Sequence, residues 1–171
     1  MIANQLKRKL VMSETIALPK TRDRKTLYEA LIPQWLALIS GETDFIANLA
    51  NTAAVLREAF GFFWVGFYLV KEGELVLGPF QGPVACTRIA FQRGVCGLAY
   101  SQGKTLIVAD VGAFPGHIAC SSLSKSEIVV VLRDKKGQVL GVLDVDSDQL
   151  NDFSELDQYY LERMMMELCV N

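Results

Sequence analysis

Three cysteines, Cys86, Cys96 and Cys120, lie in one stretch of the chain that is rich in turn-forming residues. Each is flanked by Gly, Pro or small residues, which favour loops and close approach of the backbone. A thiolate in such a loop can attack an oxidised sulfur, and a second thiol then condenses with the resulting sulfenic acid to form a disulfide. The fourth cysteine, Cys169, has the apolar neighbours of a small buried hydrophobe. The pattern therefore indicates thiol redox chemistry in loops.

Three carboxylates, Glu127, Asp144 and Asp146, accompany these cysteines. Side chains two residues apart in a strand point to the same face, so Asp144 and Asp146 form an acidic pair. Asp is disfavoured in strands, and a cation to bind gives the pair a reason to exist. Carboxylates that lie close together also raise the pKa of one of them, which then holds a proton near neutral pH. The sequence thus predicts cation binding with acid assistance.

Two other uses of the thiols are disfavoured. A zinc site usually draws on ligand pairs of C-x2-4-C spacing, and no such pair exists here, so we predict no metal. A Cys–His hydrolase would need His117, the single histidine, to activate a thiol such as Cys120. No third group that would orient His117 is apparent, and a loop histidine bonded to the backbone is the simpler interpretation.

Composition excludes several classes of protein. A chain of 171 residues suits one domain and buries a core without disulfide staples. The net charge of −2 provides no basic field for nucleic acid. There is no apolar run of membrane-spanning length and no apolar signal segment near the N-terminus. We therefore expect a cytoplasmic protein that binds neither nucleic acid nor membrane, and whose thiols are kept reduced.

Helical periodicity predicts four helices. The first begins at Asp23, and Pro33 should kink or split it. The second follows Thr43 as its N-cap. A short third helix is ended by Gly103, and Ser154 is the predicted N-cap of the fourth. The predicted ranges of the last two are 95–101 and 153–170.

Residues rich in aromatic and β-branched side chains predict the strands. These cover 62–70, 75–80, 105–109, 128–132 and 139–145, with a further short extended piece inside the loop 81–93. The sequence predicts an α+β fold with a central antiparallel sheet, helices packed on it, and ligand-pocket loops crossing the other face. The loops hold the cysteines, so they carry the chemistry.

Several motifs, from about Leu27 to the end of the chain, resemble the free methionine-(R)-sulfoxide reductases, which are built on a GAF domain. The matching segments are FFWVGFYLV (62–70), LVLGPFQGPVAC (75–86), GVCG (94–97), FPGHIAC (114–120), SxSEIVV (124–130) and GVLDVDS (141–147). Two positions depart from the family, where Asp is usual at Ser121 and Pro is frequent at Val131.

The resemblance implies a single GAF-like catalytic domain over 23–171, after an N-terminal extension of residues 1–22. It implies that Cys120 attacks the sulfoxide, that Cys86 is the main resolving thiol, and that Cys96 is a third redox cysteine. The products would be methionine and an intramolecular disulfide, which thioredoxin reduces from outside. No cofactor is implied, and the family is typically homodimeric.

The same resemblance implies the substrate contacts. Trp64 and Tyr68 would line the pocket, with the indole against the substrate methyl group. The carboxylates Glu127, Asp144 and Asp146 would share the binding of the ammonium group and the delivery of a proton. For the substrate carboxylate, we consider backbone N–H groups in the loop 112–119.

Two other functions fit the same fold. A GAF-type module could sense a small ligand or nucleotide, because a fold does not fix a function. A redox sensor could toggle a cysteine pair without turnover, since sensor and enzyme share the sulfenic acid chemistry. Three loop cysteines favour the enzyme over the ligand sensor, and turnover of substrate discriminates between enzyme and redox sensor.

Overall fold

The computed structural model describes residues 15–116 and 121–168. It is an α+β domain with four helices and one sheet. The helices are α1 (Arg24–Ile39), α2 (Phe45–Phe60), α3 (Gly94–Gln102) and α4 (Glu155–Leu168). The strands are β1 (Trp64–Lys71), β2 (Glu74–Gln81), β3 (Arg88–Ala90), β4 (Leu106–Val108), β5 (Ser126–Arg133) and β6 (Val139–Ser147). No helix in these ranges is long and apolar enough to span a membrane.

The six strands form one antiparallel sheet in the order β3-β2-β1-β6-β5-β4. The hairpins β1–β2 and β5–β6 join neighbours in sequence, while β1 and β6 meet at the centre of the sheet. The register between β1 and β2 shifts at Phe67, where two residues of β2, Gly78 and Pro79, lie opposite one residue of β1. Proline lacks the N–H that a ladder requires, so a bulge is where it fits.

Alternation along β1 divides the interior into two cores. Val65 and Phe67 face the larger core, which α1, α2 and α4 cover. Trp64 and Tyr68 face a second core on the opposite side, which is covered by α3 and the loops. The period of two thus places the predicted pocket residues on the face away from the three long helices.

Capping explains where the first two helices begin. The Asp23 carboxylate accepts from the Thr26 N–H, and the predicted start of α1 is correct. The predicted cap of α2 is wrong by one residue, because Asp44 accepts from the Ala47 N–H. The N–H groups of both Thr43 and Asp44 donate to the Glu42 carboxylate.

Pro33 does not split α1, which runs without a break to Ile39. The side chain of Pro33 is exposed, so the carbonyl that loses its donor faces the solvent side of the helix. Ser154 stands directly before α4, as predicted, but its hydroxyl donates to the Asp157 carboxylate. Ahead of α1, Ile16 and Leu18 pack on the larger core.

Candidate active site

A cavity opens between the sheet and the segments that cross its second face. It draws on β1, β5 and β6 for its floor, on the start of α3 for one wall, and on the loops after β2 and before β5 for the rest. The cavity volume is about 50 Å³, which suits a small ligand rather than a polymer. The residues that line it are Phe63, Trp64, Tyr68, Pro83, Val84, Ala85, Ile89, Arg93, Gly94, Val95, Cys96, Ser121, Ser124, Glu127, Asp144 and Asp146.

Strand register brings the three carboxylates together. Asp146 on β6 is paired with Glu127 on β5 and with Trp64 on β1, so these three residues form one row across the sheet. Asp144 lies two residues along β6 and reaches the same cavity. Glu127 and Asp144 are both buried. The predicted same-face arrangement of the acidic pair is therefore present, with Glu127 beside it.

Burial is the largest electrostatic influence on these acids. It raises the pKa of Glu127 well above its ordinary value, and the neighbouring charge of Asp144 raises it further. Burial and the charge of Asp146 likewise raise the pKa of Asp144. Burial raises the pKa of Asp146 to about 6, while a hydrogen bond donated by the Ser124 hydroxyl acts in the opposite direction. The site thus favours holding protons near neutral pH.

The two predicted redox cysteines that the structure describes differ in state. Cys96 lies near the start of α3 as a buried free thiol, and its Sγ lies 3.9 Å from Oε1 of Glu127. Burial, followed by the charges of Asp144 and Glu127, raises its pKa well above the ordinary value, so the thiol form is favoured. Cys86 is half-buried and disulfide-bonded. Cys120, like His117 and Cys169, lies outside the described residues.

Two aromatic side chains on β1, Trp64 and Tyr68, form a wall beside the carboxylates. The indole of Trp64 stacks on Phe80 at 5.4 Å between ring centroids, and its N–H donates to the Pro83 carbonyl at 3.0 Å. The hydroxyl of Tyr68 donates to the Cys86 carbonyl at 3.0 Å, which connects the wall to the loop that carries Cys86. Burial raises the pKa of Tyr68 strongly, so it remains a neutral donor. Both predicted wall residues therefore line the cavity with their polar atoms satisfied.

Sequence reasoning missed Gly66, which lies between the two wall residues on the same face of β1. A Cβ atom added there would stand 2.3 Å from Cη2 of the Trp64 indole and 2.5 Å from Cβ of Phe80. The outer edge of the indole thus occupies the position where any other residue carries a side chain. A glycine inside an otherwise aromatic and β-branched strand was the available signal for such a close approach.

The loop 112–119 was predicted to bind the substrate carboxylate, and the structure describes its residues 112–116. Residues 112–116 do not line the cavity, whereas Gly94, Val95 and the N-cap residue Arg93 of α3 do. The Arg93 side chain makes no capping hydrogen bond in the described structure, and the start of α3, whose first N–H groups suit an anion, lines the cavity. Of the two departures from the reductase pattern, Ser121 lines the cavity and Val131 does not.

Comparison with known proteins identifies the family. Residues 42–168 match the GAF domain. The chain is 44% identical to free methionine-R-sulfoxide reductase of Escherichia coli over 147 residues, which cover 85% of this chain and 88% of the relative. The chain belongs to this GAF-domain family of free methionine-R-sulfoxide reductases. The family resemblance and the α+β fold class inferred from the sequence are thereby confirmed.

Two further relatives are closer in sequence. GAF domain-containing protein A of Dictyostelium discoideum is 60% identical over 155 residues, 90% of this chain and 97% of that protein. A structure of the Neisseria meningitidis reductase in complex with its substrate is 56% identical, with a TM-score of 0.86, and covers 90% of this chain and 93% of that one. Membership of an oxidoreductase family follows from the reductases of Escherichia coli and Neisseria meningitidis.

Proposed function

We propose that this protein reduces free L-methionine-(R)-sulfoxide to methionine by thiol chemistry in the cavity described above. The observation that carries the proposal is the meeting of Glu127, Asp144 and Asp146 with Trp64 in one small cavity beside a thiol. This combination offers an anionic site for an ammonium group, an apolar wall for a methyl group, and a proton source. The solved Neisseria relative with bound substrate supports the same substrate class.

The substrate's charged ends account for the polar parts of the cavity. The ammonium group binds Asp144 and Asp146, since a buried carboxylate oxygen of Asp144 has no hydrogen-bond partner in the described structure. The substrate carboxylate meets the first N–H groups of α3 and the charge of Arg93. A peptide-bound methionine lacks both charges, so the cavity selects the free amino acid.

Glu127 is the proton donor in this proposal. It is the most enclosed of the three acids, and binding an ammonium group at Asp144 and Asp146 keeps those two carboxylates ionised. Glu127 then delivers its proton to the sulfoxide oxygen as the thiolate attacks the sulfur. An acid held neutral by burial and by neighbouring charge suits that task near neutral pH.

The thiols act in two steps. The thiolate of Cys120 attacks the sulfoxide sulfur and forms an S–S bond while the sulfoxide oxygen takes the proton from Glu127. The protonated oxygen then passes to the Cys120 sulfur as the new S–S bond and the substrate S–O bond break, so methionine leaves and Cys120 becomes a sulfenic acid. The thiol of Cys86 then displaces that oxygen as water and forms a Cys86–Cys120 disulfide. The disulfide-bonded state of Cys86 agrees with its use as a resolving thiol. Cys96 serves as an alternative partner, because its buried thiol adjoins Glu127.

An external dithiol returns the enzyme to its reduced state by thiol–disulfide exchange. We assign this role to thioredoxin, with no bound cofactor, and we assign the working enzyme as a homodimer. Both assignments rest on the family resemblance. Cys86 lies in an exposed loop segment next to Val84, where a protein thiol can approach.

The direct test is a single-turnover experiment with reduced enzyme and no external reductant. The parent chain should release methionine from the free R-sulfoxide in proportion to enzyme. Cys120→Ser should release none while keeping its circular dichroism spectrum, because the attacking thiol is gone. Methionine release by Cys120→Ser at the parental rate would refute the nucleophile assignment.

Steady-state turnover with thioredoxin tests the resolving thiol. Cys86→Ser should complete its first turnover and then slow, because the sulfenic acid has lost its main partner. Equal steady-state rates for Cys86→Ser and the parent would assign resolution to Cys96. No methionine release by any form, with thiols confirmed reduced, would favour a ligand-sensing GAF module.

A further inference from the structure

The cavity contains a group of side chains of the types that bind zinc. Cys96 on α3, Glu127 on β5 and Asp144 on β6 each offer one ligand atom, and these atoms lie within 4.8 Å of one another. All three side chains are buried. They come from three different elements, so the spacing rule that led us to predict no metal could not reveal them.

The charge in this cavity is poorly balanced. Among the described lining residues, Arg93 is the one cationic side chain, against the three carboxylates Glu127, Asp144 and Asp146. The Oδ1 atom of Asp144 is buried and has no hydrogen-bond partner in the described structure. A buried carboxylate oxygen without a partner is costly, and a cation removes that cost.

We propose that in the reduced protein Cys96, Glu127 and Asp144 together bind Zn²⁺, and that the bound ion excludes substrate. Zinc bonds of about 2.3 Å to sulfur and about 2.0–2.2 Å to carboxylate oxygen set ligand atoms about 3.5 Å apart in a tetrahedron. The contact of 3.9 Å between Cys96 and Glu127 is close to that separation. The fourth position is left to water, as in zinc sites that remain open.

The thiol distinguishes this site from one that only receives an ammonium group. Mg²⁺ and Ca²⁺ prefer oxygen ligands, whereas thiolate ligands favour Zn²⁺ and its softer relatives. We therefore expect Zn²⁺ and Cd²⁺ to bind, and Mg²⁺ and Ca²⁺ not to compete with them. The exclusion of substrate rests on the proposed function, because the ammonium group and the metal use the same Asp144 carboxylate.

The test uses the full chain with Cys86, Cys120 and Cys169 replaced by Ser, so that Cys96 is its only thiol. Reduced protein is titrated with Zn²⁺ against a chromophoric chelator, and with Cd²⁺ while the near-ultraviolet absorption of cadmium thiolate is followed. We expect one ion per chain and the thiolate absorption, both lost on adding Cys96→Ser. Glu127→Gln and Asp144→Asn should each weaken binding by at least about tenfold, since even groups that only support a metal ligand contribute that much.

Asp148→Asn is the matched control, because it removes an exposed carboxylate just beyond β6 and should leave the affinity unchanged. The metal site would be overturned if the triple Ser chain bound zinc no more strongly than the same chain with Cys96→Ser. Unchanged zinc affinity in Glu127→Gln and Asp144→Asn would overturn it as well. Circular dichroism verifies folding, and if the triple Ser chain does not fold, parent and Cys96→Ser are compared with a non-chelating phosphine reductant.

Free methionine serves as the competitor for the second half of the proposal. It should raise the apparent dissociation constant for Zn²⁺, and an unchanged constant would overturn the exclusion of substrate. Because these assays measure binding without turnover, their failure is distinct from a failure of the reductase assignment. An inactive protein that still binds zinc through Cys96 would leave the metal site intact.

Discussion

Gly66→Ala tests whether the position of the Trp64 indole depends on the missing side chain beneath it. The new Cβ would stand 2.3 Å from the indole and 2.5 Å from Cβ of Phe80, and both distances are below contact. The indole edge can swing away, but Cβ of Phe80 is fixed by its strand. Such overpacking costs about 1–3 kcal/mol of stability, and a 1 Å displacement of a positioning group costs about 100-fold in rate.

We expect kcat/KM for free methionine-R-sulfoxide to fall by about 100-fold. Steady-state kinetics would measure this, with denaturant unfolding for stability and indole fluorescence for the tryptophan environment. Trp64→Leu provides a double-mutant cycle, since Gly66→Ala should cost little further activity once the indole is gone. Gly41→Ala is the control, because nothing lies within 4 Å of its added Cβ. Parental kcat/KM and fluorescence in Gly66→Ala would refute the reasoning.

Two further predictions concern stability. Asp146→Asn should stabilise the fold at pH 7 by up to about 3 kcal/mol, because the folded pKa of about 6 lies above the ordinary 3.8. A raised folded pKa contributes stability at low pH that is lost as pH rises through about 4 to 6, so the gain should vanish near pH 4. Urea unfolding at both pH values measures it, and a gain independent of pH would contradict the cause. Arg24→Met should cost roughly 2–4 kcal/mol, because its partner Asp157 is left buried, whereas Lys25→Met removes an exposed pair and should change little.

Local patterns predicted most of the fold because each depends on neighbouring residues. Alternation along β1 placed Trp64 and Tyr68 on one face and Phe67 on the other, as the structure has them. The errors arose where two local signals competed, as at Thr43 and Asp44, two adjacent capping types of which Asp44 accepts from the Ala47 N–H. The short 3-10 turn at Val111–Ala113 was not predicted at all, since it depends on one Asp110 side chain.

The candidate site was less accessible from sequence because it depends on strand order. A period of two predicts that Asp144 and Asp146 share a face, but not that Glu127 is paired with Asp146. The meeting of Cys96 with these acids requires α3 to lie over β5 and β6, which no local pattern encodes. Gly66 could be read as a site of close approach, yet its contact with the indole appears only in three dimensions.

Substrate discrimination tests the central claim most directly. Reduced protein, with thioredoxin, its reductase and NADPH, is offered free methionine-R-sulfoxide, the free S epimer and the N-acetylated R-sulfoxide, and methionine release is measured. Asp144 and Asp146 bind an ammonium group in a small cavity, and the N-acetylated sulfoxide lacks that charge. Only the free R form should therefore be reduced. Equal turnover of the N-acetylated sulfoxide would contradict an amine-reading site, and no turnover of any form would contradict the reductase itself.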